Sequence, residues 1–149
     1  MEFPGNRELK EFNRLYKRID ELYHEIALHM GISDSAFIVL YFICEMGEGC
    51  LQRDICNASF LSKQTIHSTI RKLQKDGILT LKQGRGRDMH ILLTEQGRQF
   101  VEKEIFLVVQ AETAALEDMQ AQGSELVRLT EMYLKKLREN TVQLRLPEN

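Results

Sequence analysis

The chain has 149 residues, 43% of them hydrophobic and 28% charged, and a formal net charge of −2. That length suits one domain or one unit of a small oligomer, and the composition is ordinary for a soluble globular protein. Two prolines and no tryptophan argue against disordered linkers, no apolar run approaches the ~20 residues of a membrane span, and the opening MEFPGNRELK lacks the basic head and apolar core of a secretory signal, so a cytoplasmic protein without membrane partners is expected.

The first predicted element is a helix over 7–30. Leu9, Phe12, Tyr16, Ile19, Tyr23, Ile26 and Met30 alternate steps of three and four, the seam of a packed helix, and Gly31 ends it. Ser33 reads as an N-cap with Asp34 in the first turn of the next segment. AFIVLYFICEM is apolar nearly all round, which predicts a buried helix; its β-branched and aromatic content leaves a buried strand as the alternative. GEG at 47–49 breaks it, and LQRDICNAS predicts a short helix with Leu51 and Ile55 inward.

Ser62 then caps a helix over 62–76, with Leu61 and Ile66 in staple positions, Ile66, Ile70 and Leu73 as its core stripe, and Gly77 as its stop. The period changes to that of strands at 78–82 and 89–93, separated by QGRGRD, which predicts a β-hairpin with a cationic tip. A long helical pattern returns from Glu95 to Met119. Gly123 and Ser124 are expected to break it and cap a final helix to about 140, built on Leu126, Leu129, Tyr133 and Leu137, before a frayed RLPEN tail.

The chemistry concentrates in 62–88. This stretch holds seven Lys or Arg against two Asp, a net +5 inside a chain of net −2. Opposite the apolar stripe of its helix lie Gln64, Ser68, Arg71 and Lys75, flanked by Thr65, His67 and Lys72, with Ser62 and Lys63 in the first turn. Gln and Arg offer bidentate hydrogen bonds to base edges, and Lys, Ser and Thr suit phosphates. A single basic helix face is most often only a solvated face. Here a short helix leads into it and the arginine-tipped hairpin, with Arg85 and Arg87, follows directly. That constellation is a winged helix-turn-helix for double-stranded DNA.

Other chemistry is weak. Cys44, Cys50 and Cys56 lack C-x-x-C spacing and are an odd set, the four histidines are scattered, and no catalytic constellation appears. Neither metal nor cofactor nor enzymatic activity is expected, and the cysteines read as structural.

The chain resembles the MarR (multiple antibiotic resistance regulator) family. LSKQTIHSTIRKLQKDGIL resembles that family's recognition helix and the glycine after it, GRGRDMHILLTEQG its wing, and ISDSAFIVL its second helix. The resemblance implies a mainly α (α+β) fold forming a single unit over 1–149: a winged helix-turn-helix lobe at 33–93 with long dimerisation helices at 7–30 and 95–140. It implies a homodimeric, cytoplasmic DNA-binding regulator, often a repressor released by small phenolic ligands or oxidants. Arg87 falls on the family's wing arginine, but Arg85 stands where an acid usually holds it. By the same resemblance an aromatic ligand occupies a crevice between dimer helices and lobe, for which Tyr16, Tyr23, His29, Phe37 and Tyr41 are the candidates. A winged-helix interaction module without DNA binding and a thiol-based redox repressor are the alternative readings.

Overall fold

A computed structural model describes residues 4–86 and 88–144. Helix α1 (Arg7–His29) begins where the Asn6 side chain accepts from the Leu9 N–H at 2.8 Å. It gives way to Gly31, whose φ of +72° carries no Cβ penalty. Ser33 Oγ accepts from the Ala36 N–H at 3.2 Å and opens α2 (Asp34–Met46), so the ambiguous apolar run is a helix. Helices α3 (Gln52–Ala58) and α4 (Lys63–Lys75) lead into strands β1 (Leu79–Gln83) and β2 (Met89–Leu93). Then come α5 (Glu95–Phe100), a π-helical turn at Val101–Ile105, α6 (Phe106–Asp118), α7 (Ala121–Asn140) and a 3-10 turn at Val142–Leu144.

The core of the lobe is α2 with what packs on it. Val39, Leu40 and Ile43 from α2 are buried together with Ile55 of α3, Ile66, Ile70 and Leu73 of α4, and Ile91 of β2. An apolar face almost all round lets α2 pack against α1, α3, α4 and the π-helical turn at once. That turn brings Val101 and Ile105, both buried, onto α2.

β1 and β2 pair antiparallel in the register Leu79↔Leu93, Leu81↔Ile91 and Gln83↔Met89. A period of two then turns Leu79, Ile91 and Leu93 into the core. The hairpin also gains a third partner that the sequence did not announce. Gly49 N–H donates to Ile91 O at 2.8 Å, Ile91 N–H donates to Cys50 O at 3.0 Å, and Leu51 bridges His90.

Two expectations are corrected. The last break falls at Met119–Gln120, where Gln120 takes φ +53°, so Gly123 and Ser124 lie inside α7. Gly123 is a site of close approach: a Cβ there would collide with the carbonyl of Leu116. The 95–119 helix is also interrupted by the π-helical turn, which side-chain periodicity does not reveal. The RLPEN tail lies outside the described residues.

The chain divides into two compact units, one ending at Phe106 and the other beginning at Leu107. In the first, α1 buries only Ala27, while Leu9, Phe12, Leu15, Tyr16, Ile19 and Leu22 along the predicted seam and its flank stay exposed. In the second, Leu126, Leu129, Tyr133 and Leu137 of α7 are exposed as well. No single helix among the described residues is long and apolar enough to cross a membrane.

Candidate nucleic-acid interface

α4 is built to present one face. Ser62 Oγ accepts from the Thr65 N–H at 3.1 Å, a cap of the kind that contributes about 1 kcal/mol. Gly77 closes the other end at φ +76°. Between them Ile66, Thr69, Ile70 and Leu73 are buried, and Thr69 Oγ1 donates to Ser35 Oγ of α2 at 3.0 Å. Burial of that stripe fixes the rotation of the helix about its axis. Ser62, Lys63, Gln64, His67, Ser68, Arg71, Lys72 and Lys75 are therefore turned to solvent together, and Thr65 is half-buried at the edge.

Several of these side chains have local partners. Thr65 Oγ1 lies 2.8 Å from Ser62 Oγ, Ser68 Oγ donates to Thr65 O at 2.9 Å, and His67 Nδ1 lies 3.4 Å from Gln52 Oε1 of α3. The cations do not. Among the described residues Lys63, Arg71, Lys72, Lys75, Lys82 and Arg85 make no salt bridge. Elsewhere cations commonly sit against carboxylates: Arg14 on Glu11, Lys17 on Glu21, Arg128 on Glu125 and Lys136 on Glu139. A helix face of cations without carboxylates is an electrostatic footprint for an external anion.

The hairpin tip is a closed turn. Gly84 N–H donates to Asp88 O at 2.8 Å, Asp88 N–H donates to Arg85 O at 3.1 Å, and Gln83 Nε2 donates to Gly86 O at 2.7 Å. Gly86, at φ +61°, takes the left-handed position. Arg85 is thereby held at an exposed tip; Arg87 lies outside the described residues.

The five residues proposed for a ligand do not come together as one set. Tyr23 and Phe37 have ring centroids 6.0 Å apart, and Phe37 and Tyr41 5.9 Å, so these three form an aromatic cluster between α1 and α2. Tyr16 instead stacks on Phe12 at 6.3 Å and is 60% exposed, and His29 is exposed near the end of α1. Tyr16 lies seven residues, about two helical turns, before Tyr23 on α1.

The thiols are partly buried and free of disulfides. Burial pushes Cys44 up to about 11, and burial together with the charge of Asp54 pushes Cys50 up as well. Neither environment favours a thiolate. Cys56 is likewise only partly covered.

Sequence reasoning missed three pairings that tie elements together. His24 Nδ1 lies 2.9 Å from Asp34 Oδ1, linking α1 to α2 across ten positions. Arg53 Nη1 donates to Asp88 Oδ1 at 3.5 Å, linking α3 to the wing across thirty-five. Arg98 of α5 pairs with Glu48 in the loop after α2, whose carboxylate also accepts from the Leu93 N–H at 3.3 Å. A cleft of about 200 Å³ opens beside this last pair, lined by Ile43, Cys44, Leu93, Val101 and Phe106. It is smaller than the roughly 300 Å³ at which pockets for drug-sized ligands begin. No local pattern marks such pairs, since charges of both signs occur throughout the chain.

A capped helix pair, a carboxylate-free basic helix and a two-stranded wing define the winged helix-turn-helix class. Residues 30–87, which hold α2, α3, α4 and β1, match the sequence model of the MarR family. No curated protein matches the chain. Among solved structures, a MarR family regulator from Neisseria meningitidis shares 17% identity over 95% of this chain and 100% of its own, with a TM-score of 0.76. A MarR family regulator from Listeria monocytogenes, complexed with 26mer DNA, shares 21% identity over 91% and 89%, with a TM-score of 0.65. Staphylococcus aureus MarR, in complex with salicylate and kanamycin, shares 18% identity over 88% and 90%, with a TM-score of 0.69. At such identities the likeness is one of fold.

Proposed function

We propose that this chain is a sequence-specific DNA-binding transcriptional regulator, not an enzyme, acting in the cytoplasm as a homodimer on inverted-repeat operators. The observation that carries the reading is the exposed face of α4, where Lys63, Arg71, Lys72 and Lys75 stand without carboxylate partners among the described residues, beside Gln64 and Ser68. α4 enters the major groove, where Gln64 and Arg71 meet base edges and Lys63, Lys72, Lys75, Ser62, Thr65, His67 and Ser68 position the helix on the phosphates. Arg85 and Arg87 carry the wing to the neighbouring backbone or minor groove. The 26mer DNA held by the Listeria regulator supports this reading. An interaction module without DNA binding has no need of so many unpaired cations in one place. Titration of random and selected duplexes against salt tests it: affinity should fall with a log–log slope of about −0.9 for each phosphate neutralised, and binding that ignores salt would end the proposal.

The homodimer rests on the exposed apolar rows of α1 and α7, which lack cover within their own units. Two-fold protein symmetry then imposes two-fold symmetry on the operator, with half-sites a whole number of helical turns apart. Release by a small aromatic ligand rests on the cluster of Tyr23, Phe37 and Tyr41, and the salicylate held by Staphylococcus aureus MarR supports that class of ligand. The raised Cys44 and Cys50 thiols weigh against the redox alternative.

A further inference from the structure

Phe60 is out of place. It is 89% exposed, in a lobe that otherwise covers its large apolar side chains. Over 34–93 the next most exposed are Met46 at 38% and Met89 at 37%. A lone surface aromatic is common on proteins and by itself marks nothing. The position of this one does. Phe60 sits in the turn between α3 and α4, after Ser59 at the end of α3 and two residues before the Ser62 cap.

The turn is held. Ser59 N–H donates to Ile55 O at 2.9 Å, Ser59 Oγ accepts from the Leu61 N–H at 3.4 Å, and Leu61 is half-buried beneath it. The exposed ring thus stands in the turn that opens α4, three and four residues before Lys63 and Gln64, on a backbone tied on both sides of it. Its exposed neighbours along the chain into α4, Ser62, Lys63 and Gln64, are polar or basic. What can meet a basic face and still take up an aromatic ring is a duplex, whose only substantial apolar group in the major groove is the C5 methyl of thymine.

We propose that Phe60 is a specificity residue, packing its ring on a thymine methyl at the edge of each half-site. This rests on the DNA-binding reading. It goes beyond it in adding an apolar contact to a recognition surface otherwise made of hydrogen bonds and charges, and in naming the base that contact selects.

The test is selection of bound sequences from random 26-base-pair duplexes by the wild type, F60L and F60A. The wild type should return a thymine at one fixed position per half-site, F60L should keep that preference in weaker form, and F60A should lose it. On the selected duplex F60A should bind about tenfold more weakly. Replacing that thymine by deoxyuracil removes one methyl and should cost the wild type about fourfold, and F60A nothing. Melting temperatures of the variants should match the wild type, since so exposed a ring contributes little to folding.

Failure of the wild type to select any sequence overturns the DNA-binding reading and this one with it. Selection of the same sequences with equal affinity by wild type and F60A overturns this inference alone. A uniform loss on every sequence, indifferent to deoxyuracil, moves Phe60 to the sugar–phosphate backbone and also overturns it. So does a change in sedimentation of F60A without DNA, which would place the ring in a protein interface.

Discussion

Arg53 of α3 and Asp88 in the turn at the tip of the wing meet at 3.5 Å, Nη1 to Oδ1, joining the helix before α4 to the hairpin after it. The pair is exposed, so its worth to folding is at most about 1 kcal/mol. Its consequence is electrostatic, because Asp88 is one of only two acids within the basic 62–88 stretch.

Replacing Asp88 by Asn and Arg53 by Ala should therefore act in opposite directions. Asp88→Asn removes a negative charge beside the phosphates and should strengthen binding to random duplex DNA. Arg53→Ala should weaken it. Both should melt within about 4 °C of the wild type. Parallel weakening would mean that the pair works by holding the wing and not through its charges.

Gln64 and Lys75 stand on the same exposed face of α4 and should separate by kind of effect. Lys75→Ala should weaken binding to all sequences alike and flatten the salt slope by about one unit. Gln64→Ala should change preference at one base pair by ~1–3 kcal/mol if its contact is bidentate. Arg87→Ala is expected to behave as Lys75→Ala does. Identical, sequence-blind losses for Gln64 and Lys75 would show that the roles are sorted wrongly.

Ser62→Ala removes the N-terminal side-chain cap of α4 and should lower stability by about 1 kcal/mol. Chemical denaturation reads this as an earlier midpoint with an unchanged slope. Ser62→Asp should restore stability, since aspartate caps equally well, yet weaken DNA binding by adding a negative charge to the face. A variant that regains both would remove Ser62 from the interface.

Cys44 carries a pH prediction. Its folded pKa, about 11, lies above the ordinary value of 9.0, so the folded state holds the thiol proton more tightly than the unfolded chain does. The stabilising contribution is complete below about pH 9 and is lost as pH rises towards 11. Alkylation of Cys44 in the double variant Cys50→Ser, Cys56→Ser should accordingly be slow at pH 8 and accelerate only towards pH 11. Fast alkylation near neutrality, with release from DNA by peroxide, would favour a redox sensor over a ligand-released regulator.

What the sequence determined by itself was local. Ser62, the 3.6-residue spacing of Ile66, Ile70 and Leu73, and Gly77 define α4 within one stretch of chain, and burial of that stripe orients Gln64, Arg71 and Lys75 outward without help from distant residues. Leu79, Ile91 and Leu93 mark the inward face of the hairpin in the same way. Tertiary structure decided what covers an apolar residue, because a hydrophobic stripe says that something packs on it and not what. Thus Tyr23 finds Phe37 while Tyr16, on the same helix, stacks on Phe12. It also decided where backbones touch: Gly123 reads as a helix break, yet sits inside α7 because only glycine fits against the carbonyl of Leu116. Residues 49–51 join the hairpin for the same reason, since a backbone hydrogen bond such as Gly49 N–H to Ile91 O leaves no trace in side-chain pattern.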